Sequence, residues 1–333
     1  MTQPSAGAGS HNRPLVDAAD ADEPDFVPSE PAGADVYSHP SEHGERITDS
    51  FAPDLMIEAA AGVTVAADVY GDSGPLVLLQ HGGGQTRHAW KGAGQALADG
   101  GYRAVSLDAR GHGDSDWAPD GDYTTEAFVA DLVAVVAHFG ERPVLVGASM
   151  GGGTSLTAVG EGAVDALALV LVDTAPRIEA AGVRKIRDFM AQGADGFASL
   201  EEVAEAIANY QPHRRRPRSL DGLAKNVRLW PDGRYRWHWD PAFMHRPRSI
   251  AERIGRQQTA SENLTLPTLL VRGGLSDVLS EQGAQSFLET VPHARYANVG
   301  GAAHMVAGDR NDVFVEATLT FLDEFVPGAR RRV

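Results

Sequence analysis

Three side chains in this sequence have types and settings that suit nucleophilic acyl transfer: Ser149, His304 and an aspartate, either Asp277 or Asp173. Ser149 stands in Gly147-Ala-Ser-Met-Gly151, after the apolar run Val144-Leu-Val146 and before small residues suited to opening a helix. A serine at such a strand-to-helix turn is held in a strained backbone that lifts its hydroxyl clear of the sheet. Glycines flank it because a Cβ at either place would collide with the turn. A serine hydroxyl attacks poorly at neutral pH unless an imidazole takes its proton, and the imidazole needs a carboxylate to fix its tautomer and stabilise its cation. Both partners are expected downstream, acid first and histidine second, on turns after later strands. His304 follows the run ending at Val299 and is the one histidine of twelve in that setting. Asp277 follows the run ending Val271-Arg272, in Gly273-Gly-Leu-Ser-Asp277, where glycines leave the backbone free to turn a carboxylate toward His304. Asp173 ends the preceding run and is the competing acid. Asp277 is preferred, and Asp173 is expected to cap a turn or helix.

Acyl transfer also needs two N–H donors aimed at the developing oxyanion. Met150, at the expected helix start, supplies one. The second is expected on the loop after the third strand, His81-Gly-Gly-Gly84, and by position it is Gly83. A phosphate cradle is disfavoured because no Gly-Lys-Ser/Thr follows these glycines. His81 is expected to be a hydrogen-bonded scaffold residue.

The elements that must position these groups are legible as an alternation. Leu55–Ala59 and Val63–Val69 form an expected antiparallel pair, and Leu76–Leu79, Ala104–Leu107, Val144–Val146, Leu167–Val172, Thr268–Arg272 and Arg295–Val299 follow. Several are apolar at nearly every residue, as strands buried on both faces of a parallel sheet are. Helical patterns over Trp90–Asp99, Thr124–Phe139, Met150–Val159 and Val313–Phe325 supply the crossovers and the final helix. The expected fold is therefore α/β, a mostly parallel eight-stranded sheet flanked by helices.

Between Val172 and Thr268 the rhythm breaks, with helical patterns at Ile178–Gln192, Leu200–Tyr210 and Leu220–Leu229 and no strand-like run. This reads as a helical cap inserted after strand 6, over the strand ends where open α/β sheets bind ligands. The expected organisation is an acidic, flexible extension at residues 1–50, a core at 51–173 and 263–333, and the cap at 174–262. In the cap, Trp230, Trp237, Trp239 and Phe243 are the candidate substrate-binding residues, walling an apolar pocket or fastening the cap to the sheet. The stretch His213-Arg-Arg-Arg216-Pro-Arg218 reads as a solvated loop rather than one that steers anions.

Composition excludes several classes. The chain has 333 residues, 43% hydrophobic and 22% charged, with no cysteine, which removes disulfides and thiolate chemistry. No apolar run approaches the ~18 residues of a membrane helix, and no signal-peptide pattern opens the chain, so the expectation is cytoplasmic, without membrane association. A net charge of −16 argues against nucleic acid as a partner. Half of that charge lies in residues 1–50, where ten acids face Arg13 and Arg46. The alternative reading of that segment is an arm, with Phe26, Val27, Val36 and Tyr37 docked on a neighbouring subunit, which leaves a homo-oligomer open. No H-E-x-x-H and no G-x-G-x-x-G occur, so neither a metal nor a cofactor is expected.

His81-Gly-Gly-Gly84 with Trp90, the segment Asp108-Ala-Arg110-Gly-His112-Gly113-Asp-Ser115, the Ser149 elbow, Asp277 and His304 together resemble the α/β-hydrolase superfamily over about residues 52–327. The resemblance is closest to its capped branch of epoxide-hydrolase-like and haloperoxidase-like proteins, esterases, lactonases and carbon–carbon bond hydrolases. Epoxide hydrolases and haloalkane dehalogenases carry an aspartate at the elbow, so with Ser149 here the resemblance to their activities stops at the fold. The resemblance implies cleavage of an ester or lactone of a small, mainly apolar molecule. The route is an acyl-Ser149 intermediate, with His304 as base and then acid and Asp277 orienting it. It also implies that the 108–115 loop is structural. Carbon–carbon cleavage, cofactor-free haloperoxidase or perhydrolase chemistry, and a non-catalytic small-molecule receptor are the alternatives.

Overall fold

The apolar runs pair into one eight-stranded sheet. In chain order the strands are β1 (Leu55–Glu58), β2 (Thr64–Tyr70), β3 (Leu76–Gln80), β4 (Arg103–Leu107), β5 (Val144–Ala148), β6 (Ala168–Val172), a separate hairpin of β7 (Val227–Leu229) and β8 (Tyr235–Trp237), then β9 (Thr268–Gly273) and β10 (Arg295–Val299). The computed structural model describes residues 43–212, 220–245, 250–326 and 328. The sheet order is β1-β2-β4-β3-β5-β6-β9-β10. β2 is antiparallel to β1 and β4, and every other pairing is parallel. The chain leaves β3 toward β4 on one side and returns to β5 on the other. The C-terminal ends of β3 and β5 therefore flank the crevice where such a sheet receives ligands.

Continuity of the apolar runs has a packing cause. Successive residues point to opposite faces, and each face has its own core. Leu145, Leu169 and Leu171 pack with α2 (Thr125–Phe139), α3 (Met150–Gly160) and α7 (Glu281–Thr290), whereas Val144, Val146 and Val170 pack with α1 (Lys91–Asp99) and α9 (Asn311–Phe325). α2 starts where the Thr124 side chain accepts from the Ala127 N–H and ends at Gly140, whose φ is +67°.

The insertion carries α4 (Ala180–Met190), α5 (Leu200–Tyr210), a 3-10 turn at Asp221–Asn226, the β7–β8 hairpin, a second turn at Pro241–Met244 and α6 (Ile250–Glu262). A third apolar cluster joins Met190, Val203, Trp237 and Phe243 of the insertion to Tyr123 and Phe128 below. Three features differ from the sequence expectation. The stretch 220–229 is not a helix: after its 3-10 turn it pairs Val227 with Trp237 and Leu229 with Tyr235. The cause is the Pro231-Asp-Gly turn, which brings the two three-residue strands together. α6 packs on α3, with Ala260 in the sheet's own core, so this part of 174–262 flanks the sheet. Finally, residues 43–50 are not loose, because Glu45 forms an antiparallel bridge with Leu229 and His43 stacks on Trp117 at 3.7 Å. Phe26, Val27, Val36, Tyr37 and the basic stretch from His213 to Arg218 lie outside the described residues. Among the described residues, no helix is long and apolar enough to cross a membrane.

Candidate active site

Ser149 joins β5 to α3 with φ +47° and ψ −110°, a backbone that only a well-determined turn sustains. Its glycine neighbours are required by close approach. A Cβ on Gly147 would lie 2.5 Å from the Gly151 carbonyl carbon, and one on Gly151 would lie 2.6 Å from the backbone oxygen of Gln80 in β3. Ser149 is pinned from below as well, its N–H donating to the Val172 carbonyl at 3.2 Å.

The turn after β10 presents His304, whose Nδ1 lies 2.7 Å from Oδ2 of Asp173. Asp173 directly follows β6, has φ +50° and is fully buried. Its other contacts come from the end of β9 and the turn after it: Gly273 N–H donates to Oδ1 at 2.8 Å and Ser276 Oγ donates to Oδ2 at 2.5 Å. Three donors satisfy a carboxylate that would be expensive to bury alone. A carboxylate on Nδ1 directs the other ring nitrogen outward to exchange a proton.

Asp277 does not reach His304. Its carboxylate bonds to Lys185 Nζ of α4 at 2.8 Å, and its side chain is 47% exposed. The carboxylate beside His304 is thus Asp173 and not the preferred Asp277: in Gly273-Gly-Leu-Ser-Asp277 it is Ser276 that points inward, to meet Asp173. Ser276 had no signal of its own in the sequence beyond its place in that turn.

The loop after β3 is fixed residue by residue. Gly82 N–H donates to Gln85 Oε1 at 2.9 Å and Gly84 N–H to His112 Nε2 at 3.1 Å. Gly83 N–H, between them, has no protein acceptor among the described residues. Met150 is the first residue of α3, so its N–H points out of the helix start beside Ser149. His81 donates from Nδ1 to the Gly82 carbonyl and accepts at Nε2 from Ala109 N–H, a scaffold role. Burial depresses its pKa, and the fully buried His238 is depressed further by burial and by His112. The 108–115 loop is held by its own side chains and by Arg87. Asp108 accepts from Arg87 Nη1 and Arg110 pairs with Asp131, each at 2.5 Å. His112 and Gln85 were not expected to hold the glycine loop.

Ser149, His304, Gly83 and Met150 line one cavity of about 780 Å³ between the sheet and the insertion. No hydrogen bond joins Ser149 to His304, and such pairs are often loosely aligned before substrate binds. Trp237, Trp239 and Phe243 line the cavity and also fasten the insertion. Trp237 stacks on Trp239 at 5.0 Å, and Phe243 meets the His112 ring edge-on at 4.6 Å. Trp230 does not line it: Trp230 sits under Gly44 and beneath the Arg236 guanidinium, 4.7 Å away. Among the described residues, no group of three or more His, Asp or Glu side chains is placed to hold a metal ion.

Known proteins resemble this chain at low identity. The esterase Rv0045c of Mycobacterium tuberculosis is 26% identical over 274 residues, covering 80% of this chain and 89% of its own length. A mouse (Mus musculus) sn-1-specific diacylglycerol lipase is 26% identical over 264 residues, covering 74% of this chain and 81% of the lipase. The crystal structure of an E-2-(acetamidomethylene)succinate hydrolase superposes with a TM-score of 0.71 at 22% identity, covering 81% of this chain and 98% of that one. Relatives named as esterase and lipase support hydrolase activity. With residues 75–310 matching the alpha/beta hydrolase fold family, the chain belongs to that family.

Proposed function

We propose that the chain is a serine hydrolase that cleaves an ester or lactone of a small molecule through an acyl-Ser149 intermediate. His304 takes the Ser149 proton as the hydroxyl attacks the carbonyl carbon, and Asp173 holds the imidazole in the tautomer that can accept it. The tetrahedral oxyanion sits against the Gly83 and Met150 N–H groups. His304 then returns the proton to the leaving alkoxide, and water repeats the sequence to release the acid. Trp237, Trp239 and Phe243 wall the pocket for the apolar part of the substrate. The observation that carries this reading is the Asp173–His304 hydrogen bond at 2.7 Å beside an elbow serine that lines the same cavity.

Rapid quenching of p-nitrophenyl acetate turnover tests it. Intact mass is expected to show an acetyl adduct on Ser149 that is absent in Ser149→Ala. Undiminished turnover by Ser149→Ala would refute the reading.

A further inference from the structure

The cavity wall contains four basic side chains that the acyl-transfer chemistry does not use, Arg187, Lys225, Arg253 and Arg256. Among the charged side chains of the lining, Arg256 is answered by Glu126 at 2.7 Å and Glu161 at 2.6 Å, while Arg187 and Glu252 are exposed. Lys225 and Arg253 also line the cavity and are only partly exposed, and no carboxylate of the described residues pairs with either. Burial alone pushes the Arg253 guanidinium below its ordinary pKa, and burial together with neighbouring Lys91 does the same to Lys225. Desolvating a charge without a counter-charge costs stability. A cation kept in a cavity wall under that cost is explained by a counter-charge that arrives with the ligand.

Arg253 is tied to the elbow through packed neighbours. Its Nη1 donates to Gln257 Oε1 at 3.4 Å, one turn along α6. Gln257 is 3% exposed, and a Cβ on Gly153 would lie 2.4 Å from its Nε2. Gly153 N–H in turn donates to the Ser149 carbonyl at 2.9 Å. The path Ser149, Gly153, Gln257, Arg253 places the guanidinium on the wall beside the nucleophile's own helix. A guanidinium fork matches a carboxylate through two parallel hydrogen bonds and balances its single charge. The chain as a whole carries −16, so its surface repels anions in general and a locally cationic cavity becomes selective.

We propose that the substrate of the Ser149 site carries a carboxylate besides its scissile acyl group, and that Arg253 binds this carboxylate, with Lys225 adding to the positive field of the cavity. This rests on the serine-hydrolase reading and narrows its substrate to an anionic acyl compound with an apolar body.

The test compares mono-p-nitrophenyl glutarate with its methyl-capped neutral counterpart, p-nitrophenyl methyl glutarate, at low ionic strength. The wild type is expected to favour the anionic ester in kcat/KM by about tenfold or more, chiefly through KM, as a charge-assisted contact would give. Arg253→Gln is expected to bring that ratio down toward one, a loss of about tenfold or more, and Arg253→Lys to restore part of it by keeping the charge without the fork. Arg184→Gln removes the same charge from an exposed position outside the lining and is expected to leave the ratio in place. Labelling of Ser149 by a fluorophosphonate separates the two ideas. An adduct on Ser149 together with equal kcat/KM for the two esters, or with a ratio untouched by Arg253→Gln, overturns the anion subsite alone. No adduct and no turnover of either ester overturns the hydrolase reading and the subsite with it.

Discussion

The turns after β6 and β9 each carry an aspartate, and they treat it in opposite ways. Asp173 is fully buried, takes hydrogen bonds from Gly273, Ser276 and His304, and sits in a left-handed backbone conformation. Asp277, four residues beyond β9, faces solvent and meets a lysine of α4. A carboxylate fixed by several donors in a dry site keeps its geometry through a proton transfer, because the surroundings need not reorganise. A solvent-facing ion pair between flexible side chains offers no such fixity. The two turns therefore divide the tasks: the turn after β6 supplies the carboxylate that meets His304, the acid of the proposed mechanism, and β9 with its following turn supplies the amide and the hydroxyl that hold it.

The sharpest way to break this comparison is to neutralise each aspartate. Asp173→Asn is expected to lower kcat by about 10,000-fold by stranding His304 in the wrong tautomer, and Asp277→Asn by less than about threefold, as measured on p-nitrophenyl acetate. A reversed pair of results would return the acid to the β9 turn. Ser276→Ala probes the support that β9 lends to β6. Loss of a buried hydrogen bond to a charged group is expected to cost about 1.5–3 kcal/mol, read by urea unfolding, together with a drop in kcat; an unchanged midpoint and kcat would make Ser276 a bystander.

Burial also sets the pH dependence of stability. His81 and His238 have pKa values depressed by burial in the fold. The unfolded chain therefore binds protons that the folded chain refuses, and stability should fall as pH drops below the ~6.5 of an unfolded histidine, by up to about 1.4 kcal/mol per pH unit for each ring. Thermal melting from pH 7.5 to 5 should show this slope, and His238→Asn should flatten it; a slope unaltered by the substitution would remove His238 from the account. The smallest effect belongs to the exposed side of the comparison. Lys185→Ala is expected to change stability by under about 1 kcal/mol, as surface pairs do; a larger loss on urea unfolding would show that the Asp277 turn is held more firmly than its exposure suggests.

Much of this site was legible without coordinates, and the gaps have physical causes. Strands buried on both faces are apolar at nearly every residue, so β3, β5, β6 and β9 announce themselves. The elbow is legible because Gly147 and Gly151 have no room for a Cβ. His304 follows from its place after the last strand. The carboxylate that meets His304 does not, since Asp173 and Asp277 both follow strands at the same edge of the sheet and the choice depends on which becomes desolvated. That choice is made by Ser276 and by Lys185, partners about a hundred residues away from the carboxylates they meet. The hairpin of β7 and β8 escaped because three-residue strands carry too little periodicity, although Pro231-Asp-Gly marks their turn. Trp230 was grouped with Trp237 and Trp239 by nearness in sequence, but the hairpin turn carries it away from the cavity.

The most direct test of the Asp173–His304–Ser149 arrangement is the rate of fluorophosphonate labelling of Ser149, followed by intact mass, because it reports the activated hydroxyl without needing the natural substrate. The wild type and Asp277→Asn should label at the same rate, and Asp173→Asn should label slower by roughly 100-fold or more. Wild-type labelling by Asp173→Asn, with slow labelling by Asp277→Asn, would contradict the account.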